Sequence, residues 1–459
     1  MEKNIYCAVA IVGAGASGLM AANEAAAAAA TVASVVIFER NDRPGVKLSI
    51  TGKGRCNITN NAEKEQFMLN IPGNGKFLFS AFSKMSNRDI VAFFEKIGVG
   101  VALERGGRYF TKNGSAREVT GALVRRAERL GARFIYNARI KDIQICENGG
   151  VRASNDGCGV RASGDMEAMH VSGDGCGVHA SGDGCGAYRF RLTAHDGRVA
   201  YARSVVIATG GIAYPSTGST GDGYTLAGGL GHAIVAPRPS LTPLETYETW
   251  PAELSGLSLR NVTLSLYSRD GKKLFSKLGE MLLTHFGISG PLVLSGSRAL
   301  LDHGFPGCVA RIDLKPGLSD EKLCARITRD FSFYAKKQLI NAMADLTPRS
   351  LIPVIIREAG LDPNQRADLA GKAGVAKLSE AMKGLKLTIR AARPASEAIA
   401  TAGGVKTTEI NPSTMESKIV PGLYFCGELI DVDAYTGGFN LSIAFATGHV
   451  AGKSAAARL

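Results

Sequence analysis

Gly13-Ala14-Gly15-Ala16-Ser17-Gly18 constrains this chain more than any other segment. A GxGxxG pattern alone is weak, and its surroundings make it strong. It follows residues 8–12, a short apolar run with β-branched members suited to a buried parallel strand. It opens into the alanine-rich stretch 21–30, which has high helix propensity and little bulk. Residues 35–38 read as the next strand, with Glu39 at its end. Strand, tight turn, helix and strand make one βαβ unit, the seed of a doubly wound sheet. The glycines act differently. Gly13 allows the turn, Gly15 lets backbone approach a pyrophosphate, and Gly18 packs helix against strand. Ala16 and Ser17 bring the helix N-terminus, with free N–H groups and a positive dipole, to the phosphates. Glu39, followed by Arg40, can accept hydrogen bonds from both ribose hydroxyls, and its charge disfavours a 2′-phosphate.

The rest of the chain divides by pattern. Residues 90–94 and 119–130 carry helical apolar spacing, and 131–136 read as loop into strand. Composition changes at residues 149–187, where 151–159 recur as 178–186 with partial copies between. This internal repeat is too short and too poor in apolar residues to build a solenoid, so we expect an inserted loop or hairpin. Its cysteines stand singly among glycines, and no metal site is expected there or elsewhere. Residues 204–208 form a buried strand running into a glycine turn. From 240 to 315 the pattern is strand-like, 317–383 looks helical with breaks at Leu346-Thr347-Pro348 and Ile352-Pro353, and 420–448 returns to strand, turn and helix. A sheet begun near one end of the sequence and finished near the other makes the middle an insertion.

The chain has 459 residues, of which 45% are hydrophobic and 21% charged, so a large core is expected rather than disorder. No apolar run is long enough to span a membrane, and no secretory signal pattern opens the sequence, so the cytoplasm is the expected compartment. Nine cysteines without a CxxC pair suit reduced thiols. The net charge of +13 invites a nucleic-acid partner, but it can equally steer an anionic cofactor or substrate. Arg125, Arg126, Arg129 and Arg133, interrupted by Glu118 and Glu128, read as a solvated face, and nucleic acid is not the expected partner.

Two later segments separate FAD from NAD as the dinucleotide. Ala208-Thr209-Gly210-Gly211 ends a strand, a frequent second touch-point in flavoproteins that bind two dinucleotides. Leu423-Tyr424-Phe425-Cys426-Gly427-Glu428 ends another, and Glu428, Asp431 and Asp433 offer acidic groups suited to ribityl hydroxyls. Thr436-Gly437-Gly438-Phe439-Asn440-Leu441 then opens a helix whose dipole would stabilise an anionic reduced flavin. In Thr51-Gly52-Lys53-Gly54-Arg55-Cys56-Asn57 the glycines bring backbone close to the ring, while Arg55 and Asn57 can donate to phosphate or flavin oxygens. Cys56 has no partner cysteine nearby and reads as packing, with direct redox chemistry the alternative. His285 is a weak candidate proton donor, a lone histidine being more often structural.

These segments resemble the YhiN/BaiN-like flavoproteins, the aminoacetone oxidase family of FAD-binding enzymes. The resemblance runs through Pro44-Gly45-Val46-Lys47, residues 51–60, 214–223 and 284–291, Thr401-Ala402-Gly403-Gly404-Val405, and 414–448. It implies an α/β chain in which a Rossmann-like FAD-binding domain (1–239 and 395–459, with the 149–187 insertion) is interrupted by a β-barrel domain (240–316 and 384–394). That barrel in turn carries a helical insert (317–383). Lys47 and Gly54 join the implied cofactor-binding set. Two departures stand out: the repeat, and Tyr109-Phe110-Thr111 where the family usually shows an aromatic residue followed by proline. Neither touches the flavin motifs.

The expected activity is that of an FAD-dependent oxidoreductase exchanging hydride between flavin N5 and a small organic substrate. The resemblance implies two directions: reduction of an enone with NAD(P)H as transient electron donor, or oxidation of a small amine with oxygen as acceptor. A flavin-bound nucleic-acid-binding protein without turnover is the reading from a different class.

Overall fold

A computed structural model describes residues 4–28, 34–147, 150–151 and 188–458. The repeat at 149–187 therefore lies almost wholly outside the described residues. Five parallel strands, in the order Arg133–Ile135, Val35–Phe38, Ile5–Val12, Val199–Ile207 and Leu423–Phe425, form the heart of an eight-stranded sheet. The remaining strands, Phe190–Ala194, Ile140–Glu147 and Gly150–Val151, add an antiparallel meander beside the first half of Val199–Ile207. Ile5–Val12 is buried from Cys7 onward, as a strand covered on both faces must be. The register aligns Ile135, Phe38, Val12, Ile207 and Phe425 in one row. The loops that follow these five residues consequently leave the sheet side by side, at its carboxyl edge, where open α/β sheets bind ligands.

Helix Ala16–Ala28 is buried from Ser17 through Ala26. It packs on the sheet beside helix Phe439–Ala457, which also touches the sheet, and its small side chains let both approach. The approach is closest at two glycines of the second helix. A Cβ at Gly448 would sit 2.4 Å from the Ser17 carbonyl oxygen, and one at Gly452 would sit 2.3 Å from that of Ala21.

The middle of the chain closes a six-stranded barrel in the order Leu244–Thr246, Gly287–Ser289, Lys273–Thr284, Ser258–Tyr267, Val309–Asp313 and Leu385–Ala392. Leu244 pairs with Ala392 to complete the ring, which leaves no open edge. Val262, Leu264 and Leu266 alternate inward along Ser258–Tyr267. Helices Asp320–Phe333, Leu339–Ala342, Ile352–Glu358 and Gly371–Lys383 stand between the last two strands and share one apolar core with the barrel. Pro353 starts a helix here rather than breaking one: it occupies the first turn of Ile352–Glu358, where a missing N–H costs nothing.

The fold is thus a Rossmann-type domain interrupted by a barrel that carries helices. Strand Ile234–Ser240 leads toward the barrel and Ala400–Val405 returns, the two paired antiparallel. Beside this passage Asp433, 2% exposed, accepts from Arg298 Nε at 2.6 Å and Ser240 Oγ at 2.8 Å, tying a barrel-side helix to the sheet-side loop. Arg126 is not on a solvated face. It bonds Asn23 Oδ1 at 3.0 Å, lies 3.7 Å from Glu24 and covers the Phe93 ring, because Asn23 and Glu24 are buried under it. The six cysteines among the described residues are all free. Among the described residues no helix is long and apolar enough to cross a membrane.

Candidate active site

A cavity of about 690 Å³ runs along the carboxyl edge of the parallel strands. That volume falls in the usual range for small-molecule and cofactor sites. Gly13, at φ 101°, makes the turn out of the first strand; a Cβ there would meet the Ala208 carbonyl oxygen at 2.7 Å. At Gly15 a Cβ would meet nothing, so its backbone faces open cavity. Gly18 is needed for packing, since a Cβ would lie 1.9 Å from the Gly13 carbonyl oxygen.

Glu39 is 6% exposed, and each of its oxygens takes one backbone N–H: Ala14 at 2.7 Å and Asn41 at 2.9 Å. Burial pushes its carboxyl pKa above the usual range, against those two hydrogen bonds and Arg40. Each oxygen keeps a free lone pair for a ligand hydroxyl. Glu428 accepts from Lys47 Nζ at 2.9 Å and from Thr401 Oγ1 at 2.7 Å. Thr401 Oγ1 in turn accepts from the Ile212 and Ala213 N–H groups, which fixes the Gly210-Gly211 turn under it. Arg40 and Arg139 converge on Asp222, at 3.2 and 2.8 Å. Burial opposes its charge, but Arg139, Thr220 and Arg40 together hold the Asp222 carboxyl below the usual range.

Left-handed backbone dominates the segment after Thr51: Gly52, Lys53, Gly54 and Cys56 all have φ between 57° and 83°. Lys53 and Cys56 adopt this region without a glycine's freedom, a strain that the surrounding structure must hold in place. Successive N–H groups in such conformations turn toward one side and suit an anionic or carbonyl partner. Two buried wall atoms have no hydrogen-bond partner among the described residues, Asn57 Oδ1 and Thr209 Oγ1. Buried polar atoms are rarely left so, and a ligand carrying a donor would satisfy each.

The structure brings fifteen of the sequence candidates to the cavity wall: Gly13, Gly15, Ala16, Ser17, Glu39, Arg40, Lys47, Asn57, Thr209, Gly210, Glu428, Gly437, Gly438, Asn440 and Leu441. Asn440 reaches the wall while its amide clamps Ala434 through both N–H and C=O. Seven candidates stand elsewhere. Gly18 and Gly427 are packing positions, and a Cβ on Gly427 would strike Ser17 Oγ. Gly54, at φ 83°, shares the left-handed turn but does not line the cavity. Arg55 pairs with Glu104 and lies over the Phe110 ring at 4.4 Å. The Cys56 thiol is fully buried and burial pushes it up to about 12, which removes the thiolate a redox role would need. Asp433 is committed to Arg298. His285 is exposed on the barrel beside Phe286. Sequence reasoning missed Asp222, Tyr214 and Tyr435, all on the wall. Tyr214 and Asp222 lie in the 214–223 stretch that carries the resemblance, and Tyr435 stands directly before the Thr436-Gly437-Gly438 helix start.

Comparison with known proteins agrees with this geometry. The family described as HI0933-like protein Rossmann domain matches residues 7–164 and 181–454. The chain is 29% identical over 464 residues to 3-dehydro-bile acid delta(4,6)-reductase of Clostridium scindens, covering 98% of this chain and 99% of that protein. It is 27% identical over 444 residues to the ribosomal RNA dihydrouridine synthase of Haemophilus influenzae, covering 97% of each. A match across nearly the whole chain, joined to a glycine turn between the first strand and helix, a buried glutamate after the second strand and a doubly wound sheet, places the protein in the HI0933-like family of FAD-binding oxidoreductases.

Proposed function

We propose that the chain reduces a carbon–carbon double bond conjugated to a carbonyl, with NAD(P)H as the electron donor and FAD held in the cavity. One observation carries the reading. Two relatives matched along nearly their full length are named for different substrates but for one reaction, because a 4,6-unsaturated 3-oxo steroid and a uracil ring both present such a bond.

The unsatisfied atoms and open positions of the wall fit FAD. Gly13, Gly15 and the start of helix Ala16–Ala28 would hold the pyrophosphate, and Glu39 the adenosine ribose. Lys47 and Glu428 would meet the ribityl and phosphate region, and Asn57 and Thr209 would gain the partners they lack. The left-handed segment 51–57 and the helix start at Gly438 would border the ring. When bound, FAD supplies a two-electron carrier between nicotinamide and substrate. The protein's own part is orientation and exclusion of water. Leu241, Ile399 and Val432 give an apolar wall where the sheet-side loops meet the barrel, suited to the flat body of an unsaturated ring.

A specific observation favours the RNA form of the substrate as a second reading: the net charge of +13 suits a polyanion. The test starts with FAD-loaded protein mixed anaerobically with NADH and then NADPH. Bleaching of the flavin absorbance, its return on adding a 3-oxo-4,6-diene steroid or uridine-containing RNA, and a product heavier by two hydrogens are the expected results. Bleaching by a small amine and by neither nucleotide would replace the proposal with an oxidase.

A further inference from the structure

The geometry points to Tyr435 as the residue that protonates the substrate carbon next to the carbonyl, with Lys277 of the barrel as the cation that positions and tunes it. This rests on the enone-reduction reading above. Such a reduction adds hydride to the β-carbon and needs a proton at the α-carbon, so a protonated group must face the substrate.

The acids of the wall are already engaged. Glu39 accepts from two backbone N–H groups, Glu428 from Lys47 and Thr401, and Asp222 from Arg40, Arg139 and Thr220. Thr436 is bonded to Ser295 at 2.8 Å, and an alcohol is too weak an acid for this step. Lys53 also lines the cavity but is exposed to solvent, which leaves two half-buried tyrosines. Tyr214 opens the turn whose Thr217 and Gly218 carbonyls accept from Asn41 and Arg40, beside Glu39, which places it on the ribose side.

Tyr435 is different in place and in surroundings. It lines the cavity where the sheet-side loops meet the barrel and packs against Phe275, with ring centroids 6.4 Å apart. Among the described residues its hydroxyl has no hydrogen-bond partner. Asn70 holds both members of the pair: its carbonyl accepts the Tyr435 N–H at 2.9 Å and its Oδ1 accepts from Lys277 Nζ at 3.3 Å. The ammonium thereby sits over the tyrosine ring, 4.6 Å from its centroid. Arg298 also faces Tyr435, and Asp433 partly offsets it. Burial keeps the phenol protonated at neutral pH while Arg298 favours the phenolate that proton transfer leaves behind, and the Lys277 ammonium over the ring face adds a second positive charge beside it.

The step balances. Hydride originating from NAD(P)H forms the C–H bond at the β-carbon, and the π electrons shift to the carbonyl. The Tyr435 O–H bond breaks as its proton forms the C–H bond at the α-carbon, and the phenolate recovers a proton from solvent.

Tyr435→Phe tests this. FAD affinity and flavin bleaching by NAD(P)H should stay as in the wild type, because neither needs the phenol. Return of the flavin band on adding enone should slow by about 10²–10⁴-fold, the usual worth of a general acid. Independently of turnover, flavin-free protein labelled with ¹³Cζ-tyrosine should show one signal that disappears in Tyr435→Phe. That signal should titrate at higher pH in Lys277→Met. Wild-type reoxidation by enone in Tyr435→Phe would overturn the inference while leaving the enone reading intact. An unmoved titration in Lys277→Met would remove Lys277 from it. A wild-type protein that reduces no enone or uracil would take down both.

Discussion

Adding one methyl group to Gly448 or Gly452 should reverse the sign that helix propensity assigns to it. In an exposed helix interior, glycine to alanine stabilises by about 1 kcal/mol. Here the new Cβ would lie 2.4 Å from the Ser17 carbonyl oxygen or 2.3 Å from that of Ala21, where ordinary contact begins near 3.4 Å. Helices Ala16–Ala28 and Phe439–Ala457 must separate by about 1 Å, which forfeits a quarter to a half of the dispersion energy along the contact. Overpacking of this kind costs about 1–3 kcal/mol, so each variant should be destabilised by about 1 kcal/mol after the propensity gain is subtracted. The two variants should differ in function. Ser17 lines the cavity and Ala21 lies one turn behind it, so Gly448→Ala should weaken FAD binding more than Gly452→Ala does. Urea unfolding followed by flavin fluorescence reports on the sheet, while Trp250, the single tryptophan, reports on the barrel core in which it is buried. The flavin transition should move and the tryptophan transition should not. Stabilisation of either variant, or equal loss of FAD affinity in both, would refute the reasoning.

Three further outcomes follow from groups already described. Glu39→Gln keeps one acceptor oxygen for two backbone N–H groups, and it should weaken FAD binding by about 10- to 100-fold, the worth of a charged hydrogen bond, measured by flavin fluorescence quenching. Arg298→Met leaves Asp433 buried without its cation and should cost about 3 kcal/mol, read as separation of the flavin and tryptophan unfolding transitions. His232 is buried between Glu409 at 3.2 Å and Ser417 at 2.8 Å, and burial depresses its pKa against the pull of Glu409. An unfolded chain binds that proton near pH ~6.5 while the folded one resists it. Its contribution should be whole above that pH and fade as pH falls toward the lower folded value. His232→Asn should flatten this acid limb in urea titrations.

Much of the fold could be read in advance because its signals are local. The dinucleotide turn needs glycine at 13, 15 and 18 within six residues, and Glu39 ends the adjacent strand, so spacing alone exposes them. The site becomes harder to read where it depends on distant partners. Asp433 resembles Glu428 in sequence, five positions on, but Arg298 from an inserted helix claims its carboxylate. Arg55 stands inside a glycine-rich motif, but Glu104 and Phe110 from a separate small sheet turn it away from the cavity. The left-handed conformations of Lys53 and Cys56 carry no residue signal, since only glycine advertises that region. Tyr435 gains its surroundings from Asn70 and Lys277, which lie far from it and from each other along the chain.

The pairing of Leu423–Phe425 beside Val199–Ile207, and of helix Phe439–Ala457 on helix Ala16–Ala28, also sets a timetable for synthesis. Domains fold as units while the ribosome is still working. The barrel and its helices have all their strands by residue 392 and can close first. The nascent nucleotide-binding half must wait, with its glycine turn made but its last strand and covering helix still untranslated. Chains terminated before residue 423 would therefore hold every strand of the barrel but lack the last parallel strand and the helix that packs on Ala16–Ala28.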